Sequence, residues 1–420
     1  MEASIHICID LKSFYASVEC ASRGLDPFTT DLVVADPSRG PGALCLAVSP
    51  SLKEKGVRNR CRFYEIPSSR SYLAALPRMK LYMDVSSDIY HTYFSLFSAK
   101  DVYAYSIDEC FINIAPYRKF YGKDSIGIAR MAMDAVYDRT GICATAGAGT
   151  NLFLAKVGMD ILTKHLPEHI ALLDEDRFKE KIQHHRPITD IWNIGPGIAR
   201  RLAKYGAYDL YGTSLLPEKL LYREFGVNAE CLIDHSHGRE SCTIADIHSY
   251  RPSERSISNG QVLFEDYTWE EGELLLFEMT EILVQQLLEE GLVARGISLY
   301  TGFSDKKKRG SGGTRRLESC TDVPSYIWAA FRRLYRDKVP RGYGIRVIHI
   351  SLDNVLPAGK VPGSFSLFRP LEEEIKEKNV ELAMVEIKKR FGKNALLRGI
   401  DYFPKATLRQ RNSLVGGHHE

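Results

Sequence analysis

The chain has almost no excess charge: 56 lysines and arginines stand against 53 aspartates and glutamates, a formal net charge of +3 over 420 residues. A chain so balanced is not drawn as a whole to nucleic acid or to a membrane surface, and any such binding must come from local clusters. It also lacks cysteine pairs. Its nine cysteines, Cys8, Cys61, Cys143 and Cys242 among them, never form Cys-x-x-Cys, which argues against zinc and against a disulfide framework and makes a reducing cytoplasm the expected compartment. No apolar run reaches the roughly 18 residues of a membrane span. The N-terminus leads directly into a strand-like run ending at Asp10, so no signal peptide is expected either. What is present is length for roughly two to four domains and a hydrophobic content of 44%, enough for true cores.

Two short segments far apart in the chain stand out: Ile9-Asp10-Leu11-Lys12-Ser13-Phe14-Tyr15-Ala16-Ser17-Val18-Glu19 and Tyr105-Ser106-Ile107-Asp108-Glu109-Cys110-Phe111-Ile112. They set three carboxylates, Asp10, Asp108 and Glu109, at the ends of apolar, strand-like runs. Mg²⁺ takes hard oxygen ligands, a few carboxylates completed by substrate phosphates. A triphosphate attacked by a hydroxyl needs divalent cations to activate the one and neutralise the other. Neighbours on a flat strand point to opposite faces, so Asp108 and Glu109 can share a metal only where the chain bends, and a hairpin turn over Ser106 to Glu109 is expected. Either segment alone reads equally well as a surface turn. Both in one chain make a magnesium site the stronger reading.

Together the segments resemble the first and second palm motifs of the Y-family translesion DNA polymerases, most of all the bacterial UmuC-like branch of UV-damage-repair, SOS-response enzymes. The resemblance implies α/β and α+β domains arranged as a right-hand polymerase with palm, fingers, helical thumb and a β-α-β-β-α-β little finger. It implies that Asp10 and Asp108 bridge two Mg²⁺ ions, that Glu109 holds the ion activating the primer 3′-hydroxyl, and that the Leu11 carbonyl is a further ligand. Tyr15 falls where the family carries an aromatic gate beneath the sugar of the incoming nucleotide. A ring there collides with a 2′-hydroxyl, the group that separates RNA from DNA. Phe14, its neighbour at the nucleotide, is read as core, with Val18 four residues on; Tyr15 as plain helix-face core is the competing reading.

A third segment, Ile142 to Lys156, reads as a strand, a glycine turn through Gly147 and Gly149, and a helix capped by Thr150 or Asn151. Such turns let backbone N–H groups approach phosphate, though they are common before helices. The resemblance places Lys156 on the triphosphate, where a cation offsets charge on the leaving group. The family's fingers supply a tyrosine and a basic residue from a short helix. In Ala47 to Val57 this chain has Pro50 and no tyrosine, and Lys53 takes the basic position when aligned on Gly56-Val57. Arg58, Arg60 and Arg62 are further phosphate candidates or a solvated loop.

Ile188 to Lys204 looks like a helix-hairpin-helix, whose Gly195-Pro196-Gly197 turn would offer backbone N–H groups to a DNA phosphate, with Arg200, Arg201 and Lys204 behind it. An ordinary helix joint with a glycine stop is the alternative. Beyond a polar linker, strands near 256–264, 296–303, 315–320 and 345–352 alternate with helices marked by Leu276, Met279, Leu283, Leu287 and by Ile327, Ala330, Phe331, Leu334. This β-α-β-β-α-β order resembles the little finger, and the resemblance gives DNA contacts at Arg255, Ser256, Ser258, Arg295, Arg315, Arg316 and Arg346, with Lys306-Lys307-Lys308-Arg309 as a basic loop. Such binding weakens steeply with salt.

The last residues differ in composition. Ser364-Phe365-Ser366-Leu367-Phe368 is similar to a bacterial sliding-clamp motif, with Ser364 at the glutamine position and Leu367 and Phe368 as anchors; a chance aliphatic-aromatic pair in a tail is the alternative. Asn379 is expected to cap an amphipathic helix bearing Val380, Met384, Ile387 and Phe391 and stopped by Gly392, and the basic end at Lys405, Arg409 and Arg411 to be mobile. The expected layout is palm at 1–24 and 78–167, fingers at 25–77, thumb at 168–240, linker at 241–254, little finger at 255–356 and tail at 357–420. The function expected is template-directed translesion DNA synthesis with two Mg²⁺ ions, on primer-template DNA and dNTP, with the sliding clamp and possible accessory SOS proteins as partners. Two other readings stand beside it: a non-catalytic DNA- and clamp-binding adaptor, which loss of a carboxylate would have favoured, and another two-metal nucleotidyl transferase, which would not need both the helix-hairpin-helix and the β-α-β-β-α-β module.

Overall fold

In the first part of the chain, β1 (His6–Leu11) runs into α1 (Phe14–Ala21), followed by β2 (Leu32–Val34), β3 (Ala47–Val48), α2 (Pro50–Glu54), β4 (Leu73–Ala75) and the long α3 (Met79–Leu96). A hairpin of β5 (Val102–Ala104) and β6 (Glu109–Asn113) leads through α4 (Tyr117–Tyr121) and α5 (Ser125–Thr140) to β7 (Ala144–Gly149), α6 (Leu152–Val157) and β8 (Ile170–Leu173). These elements come from a computed structural model that describes residues 5–67, 71–163, 166–252, 255–305, 307–361, 370–415 and 418–419. The chain divides after Tyr250 into two units.

The main sheet of the first unit has the order β5-β6-β1-β7-β8, antiparallel except between β7 and β8. Alternation along β1 sorts its side chains onto two faces. Ile7, Ile9 and Leu11 join Tyr82, Ile89 and Tyr93 of α3 and Ile128, Ala132 and Val136 of α5 in one core. Cys8 turns to the other face, against Phe111 of β6 and Leu152 and Ala155 of α6. Strands β3-β2-β4 form a separate small sheet over Val33, Cys45, Val48, Leu52 and Cys61.

The glycines of the third segment lie within a strand rather than a turn. Gly147 stands opposite Cys8 and Gly149 opposite His6, so both face α6. A Cβ on Gly147 would lie 2.1 Å from the Ala155 carbonyl oxygen, and one on Gly149 would lie 2.3 Å from the Ala155 nitrogen. Glycine is thus required here by the close approach of a helix, not by a phosphate. The cap is Asn151, whose Oδ1 accepts from the Leu154 N–H at 2.8 Å.

Strand β8, grouped by sequence with the residues that follow it, pairs parallel with β7 and completes the sheet. After it α7 (Glu175–Lys181), α8 (Pro196–Ala203), α9 (Leu210–Ser214), α10 (Glu218–Phe225) and α11 (Ala229–Ser236) pack Phe178, Leu202, Leu210, Leu221 and Leu232 on Phe153, Leu154 and Val157 of α6. The stretch expected as a linker holds a helix, α12 (Ile244–Ser249), started by reciprocal hydrogen bonds between Thr243 and Asp246. It is too short for apolar periodicity to reveal it, yet Ile244 is buried with Cys8 and Phe111.

The second unit follows the expected order: β9 (Ser256–Tyr267), α13 (Trp269–Glu289), β10 (Leu292–Phe303), β11 (Ser311–Thr321), α14 (Pro324–Lys338) and β12 (Ile345–Asp353). Its sheet runs β11-β10-β12-β9. Leu276, Met279, Leu283 and Leu287 of α13 and Ile327, Phe331 and Leu334 of α14 pack on Ile297, Leu299, Ile348 and Ile350. The long helix after the second unit's sheet, α15 (Leu371–Phe391), starts after Pro370, not at Asn379. Glu372, Glu373 and Glu374 in its first turn complement the positive end of the helix and provide a start signal upstream of Asn379. The basic end is held rather than loose: Lys405 pairs with Glu265 at 2.7 Å, Arg411 donates to Asn259 at 2.8 Å, and Glu278 accepts from the Thr407 N–H at 3.1 Å.

Gly147→Ala and Gly149→Ala should each destabilise the protein by roughly 1–3 kcal/mol or more, the cost of overpacking a filled core. Gly197→Ala, whose added Cβ meets nothing within 4 Å, should cost clearly less. Urea midpoints compare the three, and equal effects would show that the α6 approach is not tight.

Candidate active site

Asp10 of β1 stands directly opposite Glu109 of β6, so the two carboxylates share the α6 face. Asp108 lies in the turn between β5 and β6, where the Tyr105 and Ser106 N–H groups both donate to the Glu109 carbonyl at 3.0 Å and the Ser106 hydroxyl donates to Asp108 Oδ1 at 2.7 Å. This is the bend that the adjacent acids required. The Leu11 N–H donates to the Asp108 carbonyl at 3.0 Å, tying the end of β1 to that turn.

The charges are unevenly met. Asp10 has its pKa pushed up to about 7, first by burial and then by repulsion from Asp108 and Glu109. Glu109 instead pairs with Lys156 Nζ at 2.8 Å and accepts from Cys8 Sγ at 3.2 Å; burial raises its pKa, against the pull of Lys156. Lys156 is itself buried, and it pairs with Asp160 one turn on at 2.8 Å. Burial opposes its charge, but Asp160, Cys8 and Glu109 together raise its pKa. Among the described residues no group of three acidic, cysteine or histidine side chains is arranged to hold a metal.

Phe14 and Tyr15 differ in burial, though both pack on the same core. Phe14 is 2% exposed and belongs to the core, whereas the half-buried Tyr15 ring stacks on Tyr82 of α3, centroids 4.5 Å apart and planes 18° apart. Lys53 reaches toward the carboxylates: its Nζ donates to the Ser13 hydroxyl at 2.7 Å, and burial lowers its pKa while Asp10 draws it back up. Pro50 does not disturb the short helix. It takes the first helical position, with Ser49 as cap, where proline costs nothing. Ser13 holds a left-handed backbone, φ 50°, at the start of α1.

The DNA-contact candidates of the first unit divide. Gly195, Pro196 and Gly197 are exposed at the start of α8, with Arg200 and Lys204 also exposed. The element before the turn is a single 3₁₀ turn, Ile188–Asp190, not a full helix. Arg201 is drawn aside to Glu224 at 3.6 Å and over the Phe225 ring at 4.2 Å.

In the second unit, register decides the faces. Arg316 stands opposite Gly296, and Arg315 opposite Ile297, a core residue. Arg315 therefore lies on the helix side, where it pairs with Asp337 of α14 at 2.7 Å, and only Arg316 of the two is on the open face. Arg255 pairs with Glu290 at 3.0 Å. Arg346 donates to the Phe264 carbonyl at 3.0 Å and to Asp266 at 3.4 Å. Arg295, Ser256 and Ser258 are exposed, and Lys308 of the basic loop covers the Tyr343 ring at 4.4 Å. Lys306, Ser364, Leu367 and Phe368 lie outside the described residues.

Sequence reading missed Cys8, Asp160 and Tyr82. The spacing Lys156 to Asp160 is the i, i+4 signal of a helical pair and was available. Nothing in sequence links Cys8 to Glu109 or Tyr82 to Tyr15, since both contacts cross between elements.

Residues 9–160 match the impB/mucB/samB family, and residues 254–365 match that family's C-terminal domain. The chain is 30% identical over 415 residues to UvrX of Bacillus subtilis (strain 168), named for UV-damage repair, covering 98% of this chain and 97% of the relative. It is 26% identical over 431 residues to DNA polymerase IV 2 of the same organism, covering 100% of each, and 26% identical over 404 residues to DNA polymerase IV of Moorella thermoacetica, covering 95% and 96%. A solved structure, the Y-family DNA polymerase chimera Dbh-Dpo4(243-245)-Dbh, shares the fold with a TM-score of 0.63 at 18% identity, over 84% of this chain and 99% of that one. With three carboxylates at the joined ends of β1 and β6, and with relatives matched over nearly their whole length, the chain belongs to the impB/mucB/samB family, the UmuC-like branch of the Y-family DNA polymerases.

Proposed function

We propose that the chain is a template-directed DNA polymerase that extends a primer past damaged template bases, using dNTPs and two Mg²⁺ ions. The observation that carries this is the pairing of Asp10 with Glu109 across adjacent strands, with Asp108 in the turn beside them. These are all-oxygen donors of the kind Mg²⁺ takes. Asp10, its pKa raised first by burial and then by Asp108 and Glu109, is a carboxyl that a bound cation would return to its ionised form, which fits a cation site. Asp10, Asp108, Glu109 and the Leu11 carbonyl would hold the ions, Glu109 meeting Lys156 through Oε1. When bound, the ions supply activation of the primer 3′-hydroxyl and charge neutralisation at the pyrophosphate.

The remaining roles belong to side chains. Lys156 and Lys53 bring positive charge to the triphosphate. Tyr15 blocks the space a 2′-hydroxyl would need. The turn at Gly195 to Gly197, with Arg200 and Lys204, holds the duplex backbone, and Arg316 and Arg295 do the same from the second unit. Ser364, Leu367 and Phe368 as clamp anchors rest on sequence alone. The layout of palm, fingers, thumb and little finger follows the boundaries given above, with β8 added to the palm sheet. The adaptor reading loses ground because no acidic ligand is missing.

Primer extension tests the reading. Asp108→Ala should lower the rate by more than about 100-fold, beyond what loss of an outer-shell partner costs, while primer-template affinity at fixed salt stays similar. Tight DNA binding by the wild type with no extension, with or without clamp, would select the adaptor.

A second prediction follows from Asp10, whose proton competes with the metal. Mn²⁺ affinity measured by calorimetry should fall about tenfold for each pH unit below about 7 and level off above it, because the ligand must be deprotonated. Affinity independent of pH between 5.5 and 8 would remove Asp10 from the ligand set.

A further inference from the structure

Behind the candidate gate lies a buried charged cluster with no part in the chemistry described so far. Tyr15 and Glu19 stand four residues apart on α1, and Arg78 and Tyr82 four apart at the start of α3. Residues so spaced share a helix face, and the two pairs interlock. The Tyr15 ring stacks on Tyr82. The Tyr82 hydroxyl donates to Glu19 Oε1 at 2.6 Å. Arg78 grips the same carboxylate with two hydrogen bonds, at 3.0 and 2.7 Å, and Arg23 pairs with it from just beyond the end of α1.

Glu19 and Tyr82 are both 0% exposed. Burial alone would raise the Glu19 carboxyl; hydrogen bonds from Arg78, Tyr82 and Arg23 reverse that and hold it below its ordinary value. Burying an ion pair seldom adds net stability over a well-packed apolar set. What a fully satisfied polar network does supply is a single fixed arrangement. Here the part being fixed is the ring against which Tyr15 lies.

We propose that Tyr82, clamped by Glu19, is a positioning residue that holds the Tyr15 ring still and so sets how strongly ribonucleotides are rejected. A gate discriminates only if it cannot yield. A 2′-hydroxyl that meets an unsupported ring pushes it aside at the cost of a strained side-chain torsion alone. A ring backed by a stacked and tethered partner must drag that partner from its place. The Phe14 ring is also near, its centroid 5.8 Å from that of Tyr15, but the stacked neighbour of the gate is Tyr82. The inference rests on Tyr15 being the gate.

The test is the ratio of kcat/KM for dNTP to that for the matching rNTP on one primer-template, a ratio that cancels any loss of folded enzyme. Tyr15→Ala should collapse the ratio, and Tyr82→Leu should lower it by about tenfold or more. Tyr82→Phe keeps the ring but not the tether to Glu19, and Glu19→Gln weakens the tether from the other end; both should fall between wild type and Tyr82→Leu. In the Tyr15→Ala background, Tyr82→Leu should have no further effect on the ratio. If Tyr15→Ala collapses the ratio while Tyr82→Leu and Tyr82→Phe leave it at the wild-type value, the positioning role is wrong and the gate stands. If Tyr15→Ala itself leaves the ratio unchanged, the gate reading fails and the inference goes with it.

Discussion

Helix α6 lies on strand β7 at a distance only glycine permits, and the site depends on that approach. Gly147 and Gly149 face Ala155 with no room for a Cβ, and one residue after Ala155 comes Lys156, on Glu109. A thicker strand would lift the helix and carry the ammonium off the carboxylate. The same helix contributes Phe153, Leu154 and Val157 to the core of the helices that follow. Backbone packing between one strand and one short helix thus positions a charge in the site and anchors the next layer of the first unit.

The two buried acids on either side of this sheet behave in opposite ways, and the contrast separates structure from chemistry. Glu19 is met by two arginines and a tyrosine and stays ionised. Asp10 is pushed toward the neutral form, first by burial and then by its carboxylate neighbours, with Lys156 pulling the other way. A carboxylate with a full set of donors is finished; one that burial and its neighbours leave unfavourably charged is a candidate for function. Both sit at the ends of one motif, Asp10 to Glu19, with Tyr15 between them.

Much of this was legible in the chain. The carboxylates, the turn at Ser106 to Glu109 and the β-α-β-β-α-β order were all read from local pattern, because alternation and helical spacing are local properties. The failures share a cause. Gly147 and Gly149 were read as a turn since sequence shows that glycine is needed but not what approaches it. Arg315 and Arg316 were read together because adjacent strand residues take opposite faces only once the register is known. Helix α12 was hidden by its brevity, and the start of α15 by an acidic first turn that outweighed Asn379. The contacts of Cys8 with Glu109 and of Tyr82 with Tyr15 join residues far apart in sequence, and no local rule reaches them.

The near-zero net charge also takes on physical meaning. Many of the cations that the resemblance assigns to nucleic acid already have a carboxylate: Arg201 has Glu224, Arg255 has Glu290, Arg315 has Asp337 and Arg346 has Asp266. The basic character is present but locally neutralised, which is why composition gave no sign of it. Exposed pairs of this kind are worth about 0–1 kcal/mol, so exchanging a carboxylate for a phosphate costs little at the surface. Lys156 differs because its pair with Glu109 is buried, and stripping one partner from a buried pair leaves an uncompensated charge at a cost of about 3–5 kcal/mol. Lys156 keeps a second partner in Asp160 at 2.8 Å, so a move from Glu109 to a triphosphate, as the proposed function has it, would not leave the ammonium bare; Glu109 is the group that would then need a new cation.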